Sequence, residues 1–426
     1  VDDLYSLTRL ESGAFAHCAS LVSVDCSDKL TFIGDNAFLN CTLLVSLGDL
    51  SSVTAIEYFA FAGCSSLERL EHLDNLVSLG ESVFGYGSHY TGCISLKSIG
   101  DMPKLESMGQ KCFVSCTTLE TVGDLSSLKE IPYEAFDGCT SLVSIGDLNN
   151  VESIANEAFS NCSALEHVDK LDKITSIGQN AFKGCTALKS IGSLHNLETI
   201  GQGAFSGCSA LEHVDDLYSL TRLEYDVFSH CVSLISVDCS DKLTAIGSSA
   251  FFGCKALVSI GDLSNVTSIE SSVFRGCIAL KSIGNMPKLE SIGMQCFMGC
   301  TALETVGDLS SLKEIPSETF DGCTSLVSIG DLSNVTIIGS YGFNQCKKLT
   351  SIPNLGSLES VNQFAFSGCE SLALLGNLRK LTSFGYSPFV NSPFHNCPNL
   401  VLEVLPDSAA EQYAKDYNMQ YTYITE

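Results

Sequence analysis

Residues 142–165 read LVSIGDLNNVESIANEAFSNCSAL. Apolar residues stand at Leu142, Ile145, Leu148, Val151, Ile154, Ala158, Phe159 and Cys162, and Leu165 opens the series again. A 23-residue unit is too short to bury its own apolar face, so copies of it must stack and cover one another. The phenylalanines show how far this goes. Phe15, Phe38, Phe61 and Phe84 are 23 apart; after a 29-residue step the count resumes at Phe113 and runs in steps of 23 to Phe366. A cysteine follows three residues after each Phe, as in Phe15/Cys18, Phe136/Cys139 and Phe366/Cys369, except that insertions displace Cys93 and Cys397. Seventeen turns result.

Within a turn, Leu142–Leu148 is rich in β-formers and ends on Gly-Asp, which predicts one short strand per turn. Stacked strands form a parallel sheet on the concave face. Residues 151–154 then lie on the return side. Residues 155–162 are expected as a helical or 3-10 turn, with Asn156 as cap and Ala158 and Phe159 inward. A longer period overlies the short one. Residues 1–38 match 214–251 at 29 of 38 positions, and 99–148 closely match 283–332. Multi-turn blocks have been duplicated, so uncopied surface is where specificity is expected.

Composition narrows the function. The 426-residue chain carries a net charge of -26 with only 23 Lys+Arg. Nucleic acid and anionic membranes need clustered cations, so neither is an expected partner. No apolar run approaches the length of a membrane span.

The pattern LxxI…LxxIGxxAFxxCxxL resembles the BspA-like leucine-rich repeats over residues 1 to about 400. The resemblance implies an α/β fold: a right-handed leucine-rich-repeat solenoid of seventeen turns over residues 1–400, with insertions at 85–92 and 385–396. The tail, residues 401–426, resembles the strand–helix–strand cap of bacterial members, with Asp407 or Ser408 capping the helix. Val1 aligns with Val214, inside a strand, so a preceding N-terminal cap is expected. Family members are typically bacterial or protist surface proteins, several of them adhesins. The implied function is therefore a non-enzymatic, secreted or cell-surface adhesin with a host or matrix protein as partner. An architectural spacer and an intracellular scaffold are the alternatives.

One departure from the family pattern is an Asp/Asn row at Asp49, Asp101, Asp124, Asp147, Asp262, Asn285, Asp308, Asp331, Asn354 and Asn377. A straight row does not converge six to eight oxygens on one calcium ion. Capping of the local turn through backbone N–H groups is the expected role. Of the 21 cysteines, seventeen hold the Phe-x-x-Cys place. Stacked turns make their Cβ vectors parallel, which is poor disulfide geometry, and no closely spaced Cys/His pairs suggest zinc. Buried small apolar residues are expected instead. No catalytic constellation and no cofactor are expected.

The solvent-facing strand position is nearly all small: Ser23, Ser46, Ser98, Thr121, Ser144, Ser190 and onward. Arg69, His167 and His213 break the row. The insertions are the sharper candidates because recognition concentrates on loops of rigid scaffolds. They bring Tyr86, His89 and Tyr90 in the first, and Tyr386, Phe389 and Phe394 in the second, to a surface expected to be poor in aromatics. Both are read as entering after the Phe of their turn.

Overall fold

The structure, a computed structural model, describes residues 6–85, 92–385 and 392–424. Its contacts group into two units, Val1–Ser219 and Leu220–Glu426. In each, the chain winds as a parallel-strand solenoid with 23 residues per turn. Nearly every turn carries two short strands, most of them of two residues, in place of the one expected. Ser144–Ile145 pairs with Thr121–Val122 in a first row. Ser153–Ile154 pairs with Glu130–Ile131 and with Ser176–Ile177 in a second. The return segment is thus a ladder in its own right. Among the described residues there are seventeen first-row strands from Ser23–Val24 to Val401–Val404, and Gln420–Tyr423 adds an eighteenth level.

The expected turn forms without α-helix, as a run of short i→i−3 turns. An α-helix bonds its N–H groups within itself, whereas residues 157–162 divide theirs. Glu157, Phe159 and Asn161 donate to carbonyls of the next turn, Gln179, Ala181 and Lys183, at 2.7–2.8 Å. Ala158, Ser160 and Cys162 donate back to Ala155, Glu157 and Phe159. The alternation is produced by left-handed residues at Glu157 and Asn161, both with φ 59°. Equivalent places hold Asn36, Asn40, Asn180, His17 and His230, or glycine, but also Phe59, Lys111, Glu134 and Tyr341. Asn, Asp and His tolerate this region better than most side chains. Asn156 does not cap a helix; its Oδ1 accepts from the Gln179 N–H of the next turn at 2.8 Å.

The core is built level by level. The phenylalanines are buried and stacked face to face: Phe38 on Phe61 at 5.2 Å and Phe136 on Phe159 at 5.2 Å, with planes within 5°. Ring separation follows strand separation, about 4.8 Å. From Cys41 onward the cysteine thiol beside a ring points inward and donates to the Phe carbonyl of the preceding turn, as Cys162 to Phe136 at 3.1 Å. The C-terminal strand Val401–Val404 pairs with Leu374–Leu375 and then with Gln420–Tyr423. The helix Ala409–Asp416 lies between these two strands in sequence, and Ser408 is its N-cap, accepting from Glu411 N–H.

Candidate protein-binding surface

Two-residue strands turn one side chain per turn to solvent and the next inward, with Val122 buried and Ile145 and Ile191 half-buried, so Ser144, Thr121 and Ser190 face out in register. Arg69, His167 and His213 stand in that exposed row, as the spacing predicts. The structure does not bring all three together. Arg69 lines a 230 Å³ hollow with Ser46, Gly48, Glu71 and His72, and its Nη1 lies 4.0 Å from Glu71. His167 and His213 share a separate 420 Å³ cleft, on either side of Ser190. Their pairing was legible in the sequence: Leu-Glu-His-Val-Asp occurs at 165–169 and again at 211–215, two turns apart.

Tyr86, His89, Tyr90, Tyr386 and Phe389 lie outside the described residues. Phe394 is a correction. It is buried, 5 % exposed, with its ring stacked on Phe366 at 6.0 Å and set edge-on to Tyr413 at 5.9 Å. Phe394 is the ladder residue of its turn, and Cys397 keeps the Phe-x-x-Cys spacing by donating to Phe366 O at 3.0 Å. The second insertion therefore enters before its Phe. The first enters after Phe84, whose ring stacks between Phe61 and Phe113.

The surface is also richer in aromatics than composition suggests. Tyr58, Tyr225 and Tyr341 are exposed. The Arg9 guanidinium lies 3.7 Å over the Phe32 ring. In the duplicated block Ala245 replaces Phe32, and the equivalent Arg222 instead reaches Glu270 at 2.7 Å. Arg9 keeps its ion pair with Glu11 at 3.3 Å, as Arg222 does with Glu224 at 3.1 Å, so the two copies differ in the second contact of the guanidinium.

The Asp/Asn row is absorbed by its own turns. Asp49, Asp124, Asp262, Asp308 and Asp331 each accept from the N–H two residues on at 2.8 Å. Where that residue is Pro103 or Pro287, which has no N–H, the bond moves up one turn. Asp101 then accepts from Asp124 N–H at 2.9 Å, and Asn285 from Asp308 N–H at 3.0 Å. Among the described residues no group of three His, Cys, Asp or Glu is placed to hold a metal ion.

All 21 cysteines are free thiols. Among the buried ones, burial pushes Cys41 up to about 11 and Cys116 to about 12, and a protonated, buried thiol is a poor nucleophile. Alkylation of the native protein at pH 8 is therefore expected to modify only Cys18, which is exposed, and Cys397, which is half-buried. Intact mass before and after denaturation reads this directly. Rapid modification of many thiols in the native state would show that the ladder breathes.

Stacked two-strand turns with a Phe-x-x-Cys core define a leucine-rich-repeat protein. The sequence matches the BspA type leucine rich repeat region in six copies, over residues 4–120, 87–189, 175–304 and 290–401. The chain belongs to that family. A leucine-rich repeat protein from Bacteroides ovatus is similar at 26% identity and TM-score 0.68, over 84% of this chain and 92% of that one. A leucine rich cell surface protein from Faecalibacterium prausnitzii is 27% identical over 73% of this chain and 87% of its own, with TM-score 0.44. No curated protein matches the sequence. Proteins of this family and fold are repeat proteins, typically non-catalytic. Among the described residues no helix is long and apolar enough to cross a membrane.

Proposed function

We propose that this is a non-enzymatic adhesin, secreted or at the cell surface, that binds a host or matrix protein. The observation that carries the reading is the exposed first strand row. It presents one side chain per turn at fixed spacing on a rigid stack, and two insertions interrupt that stack. Family membership supports a protein-binding role and a surface location. In this reading residues 1–400 form the recognition array and 401–426 close it. The insertions at 85–92 and 385–396 supply Tyr86, His89, Tyr90, Tyr386 and Phe389, while Arg69, His167 and His213 contribute from the sheet.

Binding of the intact chain and of a variant lacking residues 85–92 to immobilised host and matrix proteins tests this. The variant is expected to lose at least about tenfold in affinity, the scale of one anchoring contact. Unchanged binding removes the loop from the reading. Absence of binding by the intact chain favours the spacer.

A further inference from the structure

We propose that the cleft between His167 and His213 is a subsite for an arginine side chain on an extended segment of a bound protein. The proposal rests on the protein-binding reading and names the chemistry that one part of the surface selects.

The cleft lies at one of the breaks in the first strand row. His167–Val168 pairs with Ser190–Ile191, with His167 opposite Ser190, whereas His213–Leu217 belongs to a different sheet. Two imidazoles, two turns apart, therefore stand on either side of Ser190, and Gly192 leaves the floor beside them without a side chain. His167 Nδ1 is 2.8 Å from Ser190 Oγ, which fixes that ring.

Charge decides what fits. The cleft's one lysine, Lys189, is held by Glu166 at 2.7 Å, so its charge is already matched. Glu212, Asp215 and Asp216 line the same space, and Asp216 accepts from the Ser193 hydroxyl at 2.8 Å. The local excess is acidic, on a chain of net charge -26. A cationic group is the complementary occupant, and no set of three ligands here could hold a metal ion. Among organic cations a guanidinium suits the walls best. It is planar, stacks on flat rings, is weakly hydrated, and presents a fork of N–H donors that a carboxylate accepts in pairs. An ammonium has no plane to lay against the imidazoles. The volume of 420 Å³ admits an arginine side chain with a few waters. The flanking row of Ser and Thr lets the rest of an extended chain approach the sheet.

The test uses the full chain and synthetic peptides of glycine and serine with one central arginine, citrulline or lysine. Citrulline keeps the shape and removes the charge. Binding is followed by the peptide's fluorescence anisotropy at low salt, because attraction between exposed charges is screened at high salt. The arginine peptide is expected to bind at least tenfold more tightly than the citrulline peptide and severalfold more tightly than the lysine one. Asp215→Asn is expected to reduce the arginine peptide's affinity at least tenfold. Ser190→Arg, an exposed substitution that fills the cleft with its own cation, is expected to abolish binding with the thermal midpoint unchanged. Equal binding of arginine and citrulline, equal binding of arginine and lysine, or indifference to both substitutions overturns the proposal. The same variants on the host-protein array keep the two readings apart. Full adhesion by Ser190→Arg removes this subsite and leaves protein binding standing, whereas no adhesion by the unaltered chain removes protein binding itself.

Discussion

Phe205→Ala is expected to destabilise the protein by about 3–5 kcal/mol, the range for deleting a buried aromatic ring. Phe205 is fully buried and stacks on Phe182 at 5.3 Å with planes 3° apart. The void it leaves cannot close easily, because the levels around it are held at fixed separation by hydrogen bonds between turns. In that same unit Phe159 and Phe182 donate to the next turn's Ala181 and Ala204 at 2.8 Å. A solenoid's stability is close to a sum over neighbouring turns, so the damage stays local. Urea unfolding should lose its single transition, with turns near residue 205 losing amide protection before the ends do. A single cooperative transition with an unchanged m-value would contradict this.

Gly146→Ala is the second large effect, and it comes from the backbone. A Cβ built on Gly146 falls 2.1 Å from the carbonyl oxygen of Gly123 and 2.5 Å from its carbon. Both belong to the previous turn's main chain, which has no rotamer to change. Something in the stack must shift, at about 1–3 kcal/mol or more. Gly284 supplies the control, since its added Cβ meets nothing within 4 Å. Gly284→Ala should stay within about 0.5 kcal/mol of the parent. Thermal melts of the two variants side by side decide the matter. Equal losses would mean that contact between turns is not what the glycine at 146 serves.

Much of this was legible because repetition multiplies every signal. The Phe-x-x-Cys spacing gave the turn length and the ladder, and Asp147 could be assigned to its own turn from geometry alone. The second strand row escaped because strands of two residues are too short for alternation to show: Ser153–Ile154 contributes one half-buried and one buried position. The missing helix has a similar cause. Ala-Asn-Glu-Ala-Phe is good helical sequence, and only Glu157 and Asn161, neither of them glycine, carry the left-handed turns that break it. Phe394 was misplaced because the period breaks just before it, so Phe389 falls on the 23-residue count while Phe394 takes the place in the core. The pairing of His167 with His213 could be read as a repeat, but not its cleft, which depends on a break in the ladder.

The bonds between turns have a mechanical meaning. Backbone bonds such as those from Glu157, Phe159 and Asn161 run from one level to the next, along the direction in which the array would be pulled. Tension applied across it is carried by these interfaces in series, and the weakest yields first. A released turn of 23 residues can extend to roughly 75–80 Å, where it had occupied roughly 4.8 Å of the stack. A chain stretched between two attachments therefore lengthens by more than tenfold per turn before any covalent link bears the load, and the turns left stacked keep their surface intact.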